Sequence, residues 1–138
     1  MFERIVVPVD LTERNRGAVD MAAGLAGSDG TVFLLHVIET ISGMSIEEES
    51  TFFGKLEGRA SEYLAELGKL LESLKTPFKA EVVYGSRAKT ILDEAVKLDA
   101  DLIVVRSHRV GGDRPSEGWG TLSYQIGIFS TCAVLLVK

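Results

Sequence analysis

Five short runs rich in valine, isoleucine and leucine, RIVVPV, TVFLLHVI, FKAEVVYG, DLIVVRS and AVLLVK, constrain this chain more than any other feature. None keeps the apolar and polar alternation of a sheet with one wet face. Each therefore predicts a strand buried on both sides, the usual condition of a parallel sheet. Between them the apolar residues fall at helical spacing: Ala18, Met21, Ala22 and Leu25; then Phe53, Leu56, Ala60, Leu64, Leu67, Leu71 and Leu74; then Ile91, Leu92 and Ala95; finally Leu122, Ile126 and Phe129. Alternating strands and helices predict an α/β fold, a single doubly wound five-stranded parallel sheet with helices on both faces. Each right-handed crossover lays its helix on one side, and the winding reverses once. Ligands of such sheets gather beyond the strand C-termini where the winding reverses, so strand ends are where chemistry is sought.

The second helix carries its own boundaries. Ser45 with Glu48 forms a capping-box pattern, and Thr76-Pro77 ends the run. Gly54, Gly58 and Gly68 each cost about 1 kcal/mol relative to alanine in a helix interior, which predicts loose turns over residues 45–54. Residues 40–50 and 111–118 are the segments expected to be disordered.

With 138 residues the chain is expected to form one domain, 1–138, around one core. A net charge of -5 and a pI near 5.1 argue against nucleic acid and anionic membrane as partners. Cys132 is the only cysteine, so no internal disulfide is available and no cysteine–histidine metal spacing occurs. The start, MFERIVVPVD, has neither signal-peptide nor membrane-span character. A cytoplasmic protein is expected.

The stretch VVRSHRVGGDRPSEGWGT, residues 104–121, leaves a buried strand for a loop of arginine, glycine and serine before a helix resumes. Loops of this type hold phosphates through bare backbone N–H groups and a helix N-terminus. Arg106, His108, Arg109 and Arg114 crowd the segment, the arginines able to fork onto an anion, or else these are simply solvated loop charges. Thr121 either caps the fourth helix or meets a phosphate. Trp119 is read as packing. At the end of the first strand, Pro8 removes a ladder hydrogen bond and so marks where pairing stops. Asp10 beside it either caps the turn into helix 1 or faces a ligand. His36 reads as a hydrogen-bonded core residue and Cys132 as a buried, inert thiol.

Taken together, IVVPVDLTERN, FLLHVIE, YGSRAKTILDEAVKLDADLIVVRS and the closing GT followed by CAVLLVK resemble, in order and over essentially the whole chain, the universal stress protein family. The resemblance implies strand order 3-2-1-4-5, the adenine nucleotide alpha hydrolase-like fold, and a homodimer formed through the last strand. In some members it also implies ATP, with magnesium, between strands 1 and 4. Carried onto this chain, Pro8, Val9 and Asp10 would border the adenine and ribose, and Val37 would line the adenine side. Ser107, Arg109, Gly111, Gly112, Gly120 and Thr121 would follow the phosphates.

ATP-binding members carry Gly-x2-Gly-x9-Gly-(Ser/Thr) in that loop. Aligned on Gly120-Thr121, the first two glycine positions hold Ser107 and Val110, with Gly111 and Gly112 one and two places on. A valine where φ must be positive costs about 1–2 kcal/mol, or roughly tenfold in affinity. The expected protein is a dimeric stress-response signalling or interaction module. Its degenerate site binds ATP, another adenine nucleotide or a small anionic ligand weakly or not at all, with at most slow ATP hydrolysis. The alternative is a genuine ATP-binding stress protein that rebuilds the cradle from arginines and displaced glycines. No triad order, metal spacing or intact Walker loop points to another enzyme class.

Overall fold

A computed structural model describes residues 2–40, 46–107 and 121–138, with backbone only for 46–49. Strands β1 (Arg4–Pro8), β2 (Thr31–Ile38), β3 (Phe78–Tyr84), β4 (Leu102–Arg106) and β5 (Ala133–Val137) alternate with helices α1 (Arg16–Ala26), α2 (Ile46–Ser73), α3 (Arg87–Lys97) and α4 (Leu122–Phe129). All strand pairs are parallel, in the order β3-β2-β1-β4-β5. The winding therefore reverses between β1 and β4.

The absence of alternation in the apolar runs now has its cause. Ile5, Val7, Val32, Leu34, Leu102 and Val104 pack toward α1 and α2, whereas their neighbours Val6, Phe33, Leu35, Val37, Ile103 and Val105 pack toward α3 and α4. Successive strand residues point to opposite faces, and here both faces are covered. Helix α1 lies on the sheet through Ala18, Val19, Ala22, Ala23 and Ala26, small side chains that bring its axis close, and Met21 is turned outward.

Several expectations need correction. The FKAEVVYG run is not buried: β3 is an edge strand, and Lys79, Ala80 and Glu81 are exposed. Strand β5, the other edge, exposes Ala133 and Leu136. An edge strand has one neighbour and shorter cover, so apolar composition alone overstated its burial. Leu74 lies beyond the end of α2, and Phe129 closes α4 pointing outward; both are exposed. Cys132 is half-buried and precedes β5.

Helix α2 is continuous from Ile46 to Ser73, so neither loosening over 46–54 nor disorder over 46–50 is found; the Ser45–Glu48 box lies outside the described residues. Its ladder of Ala60, Leu64, Leu67 and Leu71 is buried. Gly54 and Gly58 face open space, so they cost helix propensity without breaking contacts. Gly68 is different, because a Cβ there would lie 2.6 Å from the Phe78 ring. Its missing side chain seats the start of β3.

The N-terminal ends of β1 and β4 are clasped together. The Asp101 carboxylate accepts from the amides of Glu3 (2.8 Å) and Arg4 (3.1 Å), Asp101 N–H donates to Arg4 O (3.0 Å), and Arg4 Nε donates to Leu98 O (2.5 Å).

Candidate functional site

At their other ends β1 and β4 part. Their registered pairs are Ile5 with Leu102 and Val6 with Ile103 only. In a parallel ladder alternate residues bond to alternate sides. The Arg4 carbonyl accepts from Asp101, on the β4 side, and Val9 N–H donates to Leu35 O on the β2 side. Even-numbered residues of β1 thus face β4, and the next donor toward β4 belongs to residue 8. Proline has none, so pairing ends there and a slot opens.

Pro8, Val9, Asp10, Leu35, His36 and Val37 line that slot from β1 and β2, with Asn15, Arg87, Ile91, Val105, Arg106 and Leu122 around them, enclosing about 80 Å³. The apolar members are Pro8, Val9, Leu35, Val37, Ile91, Val105 and Leu122, and of the polar ones Asp10, Asn15 and His36 are held by hydrogen bonds. Asp10 is held by its own turn. Its Oδ1 accepts from Thr12 N (2.9 Å), Thr12 Oγ1 (2.5 Å) and Asn15 Nδ2 (3.0 Å). Burial pushes the Asp10 pKa up, but the Thr12 hydroxyl and amide, the Asn15 amide and the charge of Arg106 together outweigh it and leave the carboxyl below its ordinary 3.8. Asp10 is an anion that caps the turn, the first of its two readings, and it also lines the slot.

Asn15 is the buried bolt of this corner. Its amide donates to the carbonyls of Asp10 (2.7 Å) and Thr12 (2.8 Å) and approaches the Tyr63 hydroxyl, which itself donates to Thr12 O. Thus α2 helps fix the β1–α1 turn.

The ladder between β1 and β2 ends in an unusual way. Register continues as far as Val9 N–H to Leu35 O, 2.9 Å, and the next rung would run from Val37 N–H to Val9 O. That carbonyl is taken instead by His36 Nδ1 at 2.7 Å. A carbonyl only accepts, so Nδ1 carries the proton. Among the described residues Val37 N–H has no backbone partner on this side. By the same parity its carbonyl also faces the slot. One donor and one acceptor of main chain are thereby presented to whatever enters.

Ser107 follows β4, buried, with N–H donating to Val137 O (2.8 Å) and Oγ near Ser123 Oγ (3.4 Å) and Lys138 Nζ (3.3 Å). It ties β4 to β5 and α4 and is not among the slot's lining residues. Thr121 caps α4, its Oγ1 accepting from Tyr124 N at 3.4 Å, and Leu122 beyond it reaches the slot. Arg109, Gly111, Gly112 and Gly120, together with His108, Val110, Arg114 and Trp119, lie outside the described residues. Among the described residues no group of three or more His, Cys, Asp or Glu is placed to hold a metal ion, and no helix is long and apolar enough to cross a membrane.

The structure thus gathers Pro8, Val9, Asp10 and Val37. Sequence reasoning missed Asn15, Arg87 and the use of His36. Asn15 had a local signal, an amide five residues after Asp10 in DLTERN. Arg87 is set at the rim by the start of α3, 4.0 Å from Glu39, and only the fold brings it there. Chemically, the slot offers aliphatic walls, a main-chain donor and acceptor, a carboxylate, and two guanidinium groups. Among the described residues that line it, no nucleophile is paired with a base.

The model of the universal stress protein family matches residues 1–138. Universal stress protein YxiE of Bacillus subtilis (strain 168) is 28% identical over 100% of both chains. Universal stress protein UspA from Lactobacillus plantarum has the same fold, with a TM-score of 0.80 at 19% identity, over 99% of this chain and 97% of that one. A universal stress protein family protein from Arabidopsis thaliana with AMP bound matches with a TM-score of 0.72 at 19% identity, over 99% of this chain and 91% of that one.

Proposed function

The chain belongs to the universal stress protein family, and from that premise we propose that it is a stress-response interaction module, dimeric through β5, whose slot takes the adenosine end of a nucleotide and grips the phosphates weakly. The observation that carries this reading is the open rung at Val37: a donor and an acceptor side by side between apolar walls suit the edge of an adenine, which offers one of each. Asp10 then faces the ribose hydroxyls. The Arabidopsis relative with AMP bound is in keeping with this.

The phosphate side is where the sequence departs, with Ser107 and Val110 in the two glycine positions. Ser107 is also engaged in joining β4, β5 and α4. Triphosphate therefore gains little over monophosphate. Dimerisation through β5 accords with its open edge and exposed Leu136, since an apolar edge strand left bare invites pairing.

Calorimetry and thermal melts with adenosine, AMP and MgATP test the proposal. With dissociation constants near 1 mM, 5 mM ligand raises stability by about 1 kcal/mol, or roughly 4 °C, and the three ligands fall within about threefold of one another. ATP binding at least tenfold tighter than AMP, and lost on Arg109→Ala with Arg114→Ala, establishes the rebuilt cradle instead. No shift with any of the three refutes an adenosine slot.

A further inference from the structure

The bond from His36 to Val9 does more than satisfy a half-buried ring. Two donors lie near one acceptor: Val37 N–H, the next rung of the β1–β2 ladder, and Nδ1–H of His36, the residue one step past the last registered pair, Pro8 with Leu35. The imidazole has the bond, at 2.7 Å. We infer that His36 is a positioning residue that keeps the Val37 rung open by occupying the Val9 carbonyl, so the slot is held ready by a side chain that substitutes for one step of sheet.

The physical case is a competition. A buried carbonyl and a buried amide that face each other across a parallel ladder gain from pairing, and leaving either unmet is costly. Without another donor at Val9, the sheet closes by one more rung. Closing it consumes the main-chain donor and draws Val9 and Asp10 toward Val37, across the mouth between β1 and β2. With the ring present, Val9 is satisfied while the two strands stay apart at this level. The ring itself lines the slot beside Val37, so the device and the groups it frees lie together. This deepens the adenosine reading, but its tests need no ligand, so the two can fail separately.

Amide hydrogen exchange on the unliganded protein reads the rung directly. In the wild type Val37 exchanges much faster than Leu35. In His36→Phe, which keeps a flat ring without the donor, Val37 slows about tenfold or more as it bonds to Val9. In His36→Asn, whose amide can donate from near the Nδ1 position, Val37 keeps its fast exchange. Adenosine affinity follows the same order, retained in His36→Asn and reduced about tenfold in His36→Phe. A Val37 amide as protected as Leu35 in the wild type, or one indifferent to the substitution, overturns the inference. Where His36→Phe does not fold, the ring nitrogen spectrum of the wild type decides. A neutral ring protonated at Nδ1 supports the arrangement, and one protonated at Nε2 alone excludes it.

Discussion

Replacing Asp10 by alanine separates the turn's contribution from the ligand's. The carboxylate accepts three hydrogen bonds within its own turn, two from Thr12 and one from Asn15. Asn15 keeps its bonds to the Asp10 and Thr12 carbonyls after the change, so it is not orphaned. The loss therefore resembles removal of a helix cap, about 0.5–2 kcal/mol, and the group's partial exposure argues for about 1–1.5 kcal/mol. For a chain of this length that lowers Tm by roughly 4–6 °C. The pH dependence has a definite sign. Because the folded carboxyl titrates below its ordinary 3.8, its contribution is complete above that value and fades as pH falls through the folded pKa. Thermal melts of wild type and Asp10→Ala at pH 7 and in acid should show a gap that narrows in acid. Asp10→Asn, which keeps one acceptor without the charge, should fall between them. Equal Tm values at pH 7, or a gap that widens in acid, would refute the assignment of Asp10 as an ionised cap.

Gly58→Ala should raise stability by about 1 kcal/mol, since its added methyl meets open space and gains helix propensity; chemical denaturation midpoints check this. Glu81 has its pKa raised, first by a hydrogen bond with Glu94 and then by burial and the charge of Glu94. Stability is therefore lost as pH rises from 4.5 through the folded value, and Glu81→Gln should raise Tm at pH 7 but not below pH 4.5. Leu136→Lys on the β5 edge should halve the mass found by light scattering, and a wild type that is already monomeric at micromolar concentration contradicts the dimer.

Residue chemistry made the element order legible because both faces of the central strands are covered, so β1, β2 and β4 read as near-continuous apolar runs. The strand order came from resemblance, since periodicity carries no information about which strands are neighbours. Burial of β3 was misjudged for a related reason: Val82, Val83 and Tyr84 have the composition of a central strand, and only the order places them at an edge. At the site, Pro8 was readable because a missing donor is a property of the residue itself. The rung at Val37 was not, because it depends on register between β1 and β2 and on which of two donors reaches one carbonyl. Arg87 and Ile91 join the slot through the fold alone.

The clasp at Asp101 sets how this protein can move. With β1 and β4 pinned at one end and parted at the other, a change of gap beside Asp10 breaks no rung of this pair, whereas a change of gap at Asp101 breaks three hydrogen bonds at once.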